Sequence, residues 1–192
     1  MIISLSGSPG SGKSTIAQML VEKLGWPRYY IGRLRREAAR QQGLTLAQYN
    51  KLGETDPSTD RLVDDYQIEL GKTKDNFVIE GRTSWYFIPH SFKIFLAVSE
   101  DEGAKRIFLS LQNKHTKTSR NEDTNLSSWE AVRESNRQRV ASDQLRYQNY
   151  YQIDITNPDN YDLYLDTTNL TRAEVLAAVW EAVQAALDKE KN

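Results

Sequence analysis

The sequence predicts an α/β domain built on a parallel sheet. Three observations predict it. Strand-like and helix-like segments alternate along the chain. Phe77-Val78-Ile79 and the stretch from Ser91 to Val98 are apolar almost without a break, as in parallel strands covered on both faces. The first strand, Ile2 to Ser6, runs into a glycine-rich turn that opens a helix.

The elements follow in order. Ile16, Met19, Leu20 and Leu24 form one apolar stripe on the first helix, and Gly25 and Pro27 stop it. Arg28 to Ile31 reads as the second strand. Gly32 to Gln42 is a basic helix closed by Gly43. Thr45 and Gln48 predict a capping box for a short helix through Leu52. Asp56-Pro57 is an N-cap followed by proline at the first helical position. The helix it starts carries Leu62, Val63, Tyr66 and Leu70 and ends at Gly71. Phe77 to Glu80 is the third strand and Ser91 to Val98 the fourth. Ser99 and Glu102 cap a helix with Ala104, Ile107, Phe108 and Leu111 on one side. Asn113 to Asn125 is polar and reads as a loop. Ser127 and Glu130 predict the cap of a long, arginine-rich helix to about Tyr150. Tyr161 to Asp166 is the fifth strand. Thr171 and Glu174 cap the last helix, with Leu170 and Val175 as its staple.

Composition bounds the function. The chain has 192 residues, which suits one domain, and no cysteine, which excludes thiolate metal sites and cysteine nucleophiles. Net charge is −1, so bulk charge argues for no nucleic-acid or membrane partner. No apolar run approaches the ~20 residues that span a bilayer. The chain enters a strand at once, without a secretory leader pattern, and is expected to be cytoplasmic. A monomer is expected. His90 and His115 lack partners at metal-ligand spacing.

Gly7-Ser8-Pro9-Gly10-Ser11-Gly12-Lys13-Ser14-Thr15 is G-x-x-x-x-G-K-[ST], placed between a strand and a helix. The loop's N–H groups and the helix N-terminus suit a triphosphate, here expected to be ATP. Lys13 can reach the β- and γ-phosphates, and the Ser14 hydroxyl can join a Mg²⁺ shell. Downstream arginines suggest a second anion. Arg36 lies on the basic helix. Arg82 leaves the third strand directly. Arg139, Asp143 and Arg146 share one face of the long helix, and Arg133 and Arg137 a neighbouring one. Bringing two phosphates together needs such cations, and arginine grips phosphate in two places. Lys13, Arg82, Arg137 and Arg139 are the catalytic candidates. For Arg33, Arg35 and Arg40 a solvated face is the favoured reading. Glu80 has three readings: the Mg²⁺ shell through water, an orienter of Arg82, or a structural salt bridge. Tyr29, Tyr30, Trp85 and Tyr86 are placed near the acceptor, as pocket wall or as a platform for a base. A kinase for another small acceptor, or a nucleotide-binding switch without turnover, remains open on these residues alone.

The glycine-rich loop, Tyr30 through Glu37, Glu80-Gly81-Arg82 and the Arg139/Asp143/Arg146 helix occur in the order found in the nucleoside-monophosphate kinases. Over Ile2 to about Val175 the chain resembles most closely the short cytidylate kinases of the archaeal type. The resemblance implies a three-layer P-loop fold with strand order 2-3-1-4-5, an acceptor-binding insertion over about 32–72 and a lid over about 113–127. It implies transfer from ATP to CMP or dCMP with Mg²⁺. Gly32, Arg36 and Arg82 would bind the acceptor, and Arg139, Asp143 and Arg146 would help hold it and the transferring group. Tyr30 replaces the family's usual serine, and Arg33 a small or acidic residue.

Overall fold

The computed structural model describes residues 1–112 and 126–190. The expected lid lies almost wholly outside the described residues, and so does His115. In chain order the elements are β1 (Ile2–Gly7), α1 (Lys13–Leu24), β2 (Arg28–Tyr30), α2 (Ile31–Gln41), α3 (Leu46–Gly53), α4 (Ser58–Thr73), β3 (Phe77–Glu80), α5 (Ser84–Phe87), β4 (Phe92–Ala97), α6 (Glu100–Leu111), α7 (Trp129–Tyr151), a 3₁₀ turn (Pro158–Asn160), β5 (Leu163–Asp166) and α8 (Arg172–Glu190). The five strands form one parallel sheet in the order β2-β3-β1-β4-β5, as the resemblance implied.

Two apolar clusters make three layers. Ile3, Leu5, Val78, Ile94 and Leu96 of the sheet meet α1 and α8 through Ile16, Leu20, Val175 and Val179. Ile2, Phe77 and Ile79 point the other way, against Ile31, Val63, Leu70 and Ile88. The central strands are buried on both faces, which is why their sequences are nearly continuous in apolar residues. Parallel register then brings the strand ends to one edge. Leu5 of β1 stands beside Glu80 of β3, and Gly7 beside Leu96 of β4. Ser6 Oγ donates to the Gly81 carbonyl at 2.6 Å, which fastens the exits of β1 and β3 together.

Local signals held at most helix starts. Thr45 and Gln48 form the reciprocal capping box. Thr171 and Glu174 do the same at 3.3 and 2.7 Å. The Asp56 carboxylate accepts from the Ser58 N–H at 2.9 Å, and Pro57 already has helical dihedral angles. The expected cap of α7 shifts by one residue: Ser128, not Ser127, accepts from the Ala131 N–H. Two adjacent serines offer the same chemistry, and packing of Trp129 against the α6–α7 contact selects the register. Helix α5 and the 3₁₀ turn were not expected, because three or four residues carry no readable period. Among the described residues no helix is long and apolar enough to cross a membrane.

Candidate active site

The phosphate loop occupies the exit of β1. The Ser8 N–H donates to the Leu96 carbonyl at 3.0 Å, and α1 starts at Lys13 behind a left-handed Gly12. Gly10 is required by a close approach: with φ +81°, a Cβ there would lie 2.2 Å from the Gly103 carbonyl of α6. The approach is mutual, since a Cβ on Gly103 would lie 2.4 Å from the Pro9 carbonyl. Lys13 Nζ donates to the carbonyls of Gly7 and Ser8 at 2.9 and 2.7 Å, which holds the ammonium inside the curve of the loop.

Ser14 Oγ donates to Glu80 Oε1 at 2.5 Å, and Arg28 holds Glu80 Oε2 at 2.6 Å. Glu80 is therefore an ion-pair partner of Arg28 and a neighbour of the Ser14 hydroxyl. These two hard oxygens fit magnesium, which takes few protein ligands and completes its octahedron with water and phosphate. Among the described residues no group of three or more His, Asp or Glu side chains could hold a metal by itself, so phosphate oxygens would supply much of the shell.

The second half of the site is a buried chain of alternating charge. Arg82, just past β3, pairs with Asp143 of α7. Asp143 pairs in turn with Arg146. Arg146 Nη1 reaches both oxygens of Asp60 on α4, at 2.5 and 2.6 Å. Asp60 Oδ1 also accepts from Arg35 of α2 at 2.5 Å. Arg146 is fully buried and Asp143 nearly so. The sequence reading placed Arg35 on a solvated face. The structure corrects this: Arg35 also donates to Asn50 at 2.8 Å and covers the ring of Tyr49. Its helix is flanked by α3 and α4, which a stripe count on one helix cannot reveal.

Arg36 Nη1 donates to the Tyr30 hydroxyl at 2.8 Å and to the Gly32 carbonyl at 2.9 Å. A Cβ on Gly32 would press on both the Tyr30 ring and Arg36, so the three residues form one packed unit. Burial, followed by the like charges of Arg139, Arg146 and Arg36, drives the Arg82 pKa well below its ordinary value. Arg137 stands apart, with Glu100 of α6 at 2.7 Å, and Arg133 with Asp101 at 2.7 Å. A small cleft lies between the phosphate loop at Ser8 and Pro9, Arg82, Phe95 and Val140.

Residues 2–169 match the family model described as the cytidylate kinase-like family. The chain belongs to that family. A cytidylate kinase from Methanospirillum hungatei is 34% identical over 191 residues, covering 99% of this chain and all of that protein. A cytidylate kinase from Natronomonas pharaonis is 35% identical over 187 residues, covering 96% of this chain and 90% of that one. The shikimate kinase from Bacteroides thetaiotaomicron superposes with a TM-score of 0.61 at 15% identity, covering 98% of each chain, which establishes the shared fold. As a cytidylate kinase-like protein, the chain is a nucleoside-monophosphate kinase. Asp60, Arg28 and Gly103 were not singled out from sequence. Gly103 left a faint signal, a glycine inside a helical pattern. Asp60 left none, since it is one acid among many.

Proposed function

We propose that the protein transfers the γ-phosphoryl group of ATP to CMP or dCMP, giving ADP and CDP or dCDP. The carrying observation is that Arg82, leaving β3 at the strand edge that also bears the phosphate loop, is joined through Asp143 to Arg146, with Arg36 held beside Gly32. A monophosphate acceptor is already anionic and needs cations rather than a general base, and this cluster offers cations. The curated relatives named as cytidylate kinases support the choice of base.

In this reading Gly7 to Thr15 wrap the triphosphate, and Lys13 follows the charge that moves to the leaving oxygen. Arg36 and Arg82 bind the acceptor phosphate. Asp143, set between two guanidiniums, aims Arg82 and Arg146 rather than touching phosphate itself. Arg139 and Arg137 face the transferring group, Arg137 after leaving Glu100. Bound magnesium, held by Ser14 and Glu80, would neutralise the β- and γ-phosphate charge. Gly32 and helices α2 to α4 act as the acceptor insertion, and about 113–127 as a lid that excludes water. The enzyme works as a cytoplasmic monomer with no nucleic-acid or membrane partner. Coupled ADP release across CMP, dCMP, UMP, AMP, GMP and TMP tests the proposal. The highest kcat/KM is expected for CMP or dCMP. ATP binding without transfer to any of the six would overturn it.

A further inference from the structure

Helix α4 buries polar residues along one face: Asp60, Asp64 and Gln67 at i, i+4 and i+7. Asp60 is matched by two arginines. Gln67 is fully buried; its Oε1 accepts from Ser84 Oγ at 2.7 Å and its Nε2 donates to Oγ1 of Thr83, the residue after Arg82, at 3.4 Å. Asp64 differs from both. It is 9% exposed, and its one hydrogen bond among the described residues is from the Tyr151 hydroxyl to Oδ2. No cation pairs with it, and Oδ1 has no partner there. Beside it the Tyr151 ring lies 5.8 Å from that of Tyr86 at 35° to it, and Tyr86 is 38% exposed, so two aromatic rings adjoin the carboxyl.

We infer that Asp64 is a specificity-determining residue that reads the acceptor base, its Oδ1 accepting a hydrogen bond from an exocyclic amino group at the pyrimidine 4-position. The inference deepens the proposed function and rests on the acceptor being a nucleoside monophosphate. Burial pushes the Asp64 pKa up to about 7, and Tyr151 and the more distant Arg35 and Arg146 only partly offset burial and the charge of Asp60. An N–H donor at Oδ1 favours the ionised carboxylate and draws its pKa back down. A 4-oxo group against that carboxylate sets oxygen against oxygen, so cytosine is preferred to uracil. Tyr151 holds Oδ2 and so fixes the direction of Oδ1; it is a positioning residue.

Asp64→Asn tests this with little change of shape. The amide can turn its NH₂ toward the base and donate to a 4-oxo group. The CMP-over-UMP ratio in kcat/KM is expected to fall by about tenfold or more, through KM, with kcat at saturation nearly kept. Calorimetric titration of CMP and UMP without ATP should show the same shift in Kd. Equal losses for both nucleotides, a loss confined to kcat, or an unchanged ratio would each overturn the inference. So would wild-type protein that binds UMP as well as CMP, or binds neither. Loss of all turnover with a CMP preference in binding that Asp64→Asn abolishes would sink the kinase reading and leave the base-reading role standing.

Discussion

At the scale of single residues, the site consists of charges held by stated partners. Lys13 is pinned by two loop carbonyls, so its ammonium is in place before any charge moves. Preorganised cations of this kind act on the transition state more than on binding. Lys13→Ala is expected to lower kcat by several orders of magnitude with a smaller change in KM for ATP, measured by steady-state ADP release. Asp64 makes a second prediction. Its pKa is raised from an ordinary 3.8 to about 7, so between those values the native state holds a proton that the unfolded chain has lost. Its contribution to stability is therefore full below the ordinary value and lost as pH rises through the folded one. The urea midpoint of wild type relative to Asp64→Asn should fall between about pH 4 and about pH 7 and level off above. A difference that is constant across that range would contradict the assignment. Asp60 as a like charge, and Arg35, Arg146 and Tyr151 as stabilising neighbours, set where in that window the loss occurs.

At the scale of elements, two helices carry tests. Helix α6 seats the phosphate loop through Gly103. Alanine in place of glycine within a helix is ordinarily favourable by about 1 kcal/mol. Here the added Cβ meets the Pro9 carbonyl at 2.4 Å, and neither backbone can give way without moving the loop. Gly103→Ala should therefore destabilise the protein and raise KM for ATP, seen by thermal melting and ATP titration. Helix α7 begins at Ser128, whose side chain accepts from the Ala131 N–H at 3.3 Å. Ser128→Ala is expected to cost about 1 kcal/mol in urea unfolding, and Ser127→Ala only a few tenths. The reverse ranking would restore the cap read from sequence. Two capping boxes, at Thr45 and Thr171, were legible because a cap needs partners only three residues apart.

At the scale of the whole molecule, Asp60 joins three parts. It links α4 to α2 through Arg35 and to α7 through Arg146, while Asp143 carries the connection on to Arg82 at the end of β3. The acceptor insertion, the long helix and the sheet edge are thus tied by one buried ionic chain. Removing one member of such a pair leaves uncompensated charge, a cost of about 3–5 kcal/mol. Asp60→Asn should lower the unfolding midpoint accordingly and raise KM for the acceptor while ATP binding stays near wild type. Calorimetric melting and separate titrations of the two substrates check this. Equal damage to both would show that the chain supports the whole fold rather than the acceptor half.

The sequence by itself determined the α/β class, the phosphate loop with Lys13 and Ser14, and the strand-end placement of Gly32 and Arg82. Each of these follows from local chemistry: period-two or unbroken apolar runs, a fixed glycine spacing, caps within one turn. Strand order came with the family resemblance, and the sheet has that order. Tertiary structure alone decided which charges meet. Arg35 reads as a surface residue on its own helix, and Asp60 is 25 positions away in sequence, yet they are bonded. Arg146 and Arg137 look alike in sequence, but one is buried between Asp60 and Asp143 and the other turns to Glu100. Apolar residues reveal their face through periodicity, because burial is a property of each residue alone. A buried ion is stabilised only by its partner, and that partner is named by packing.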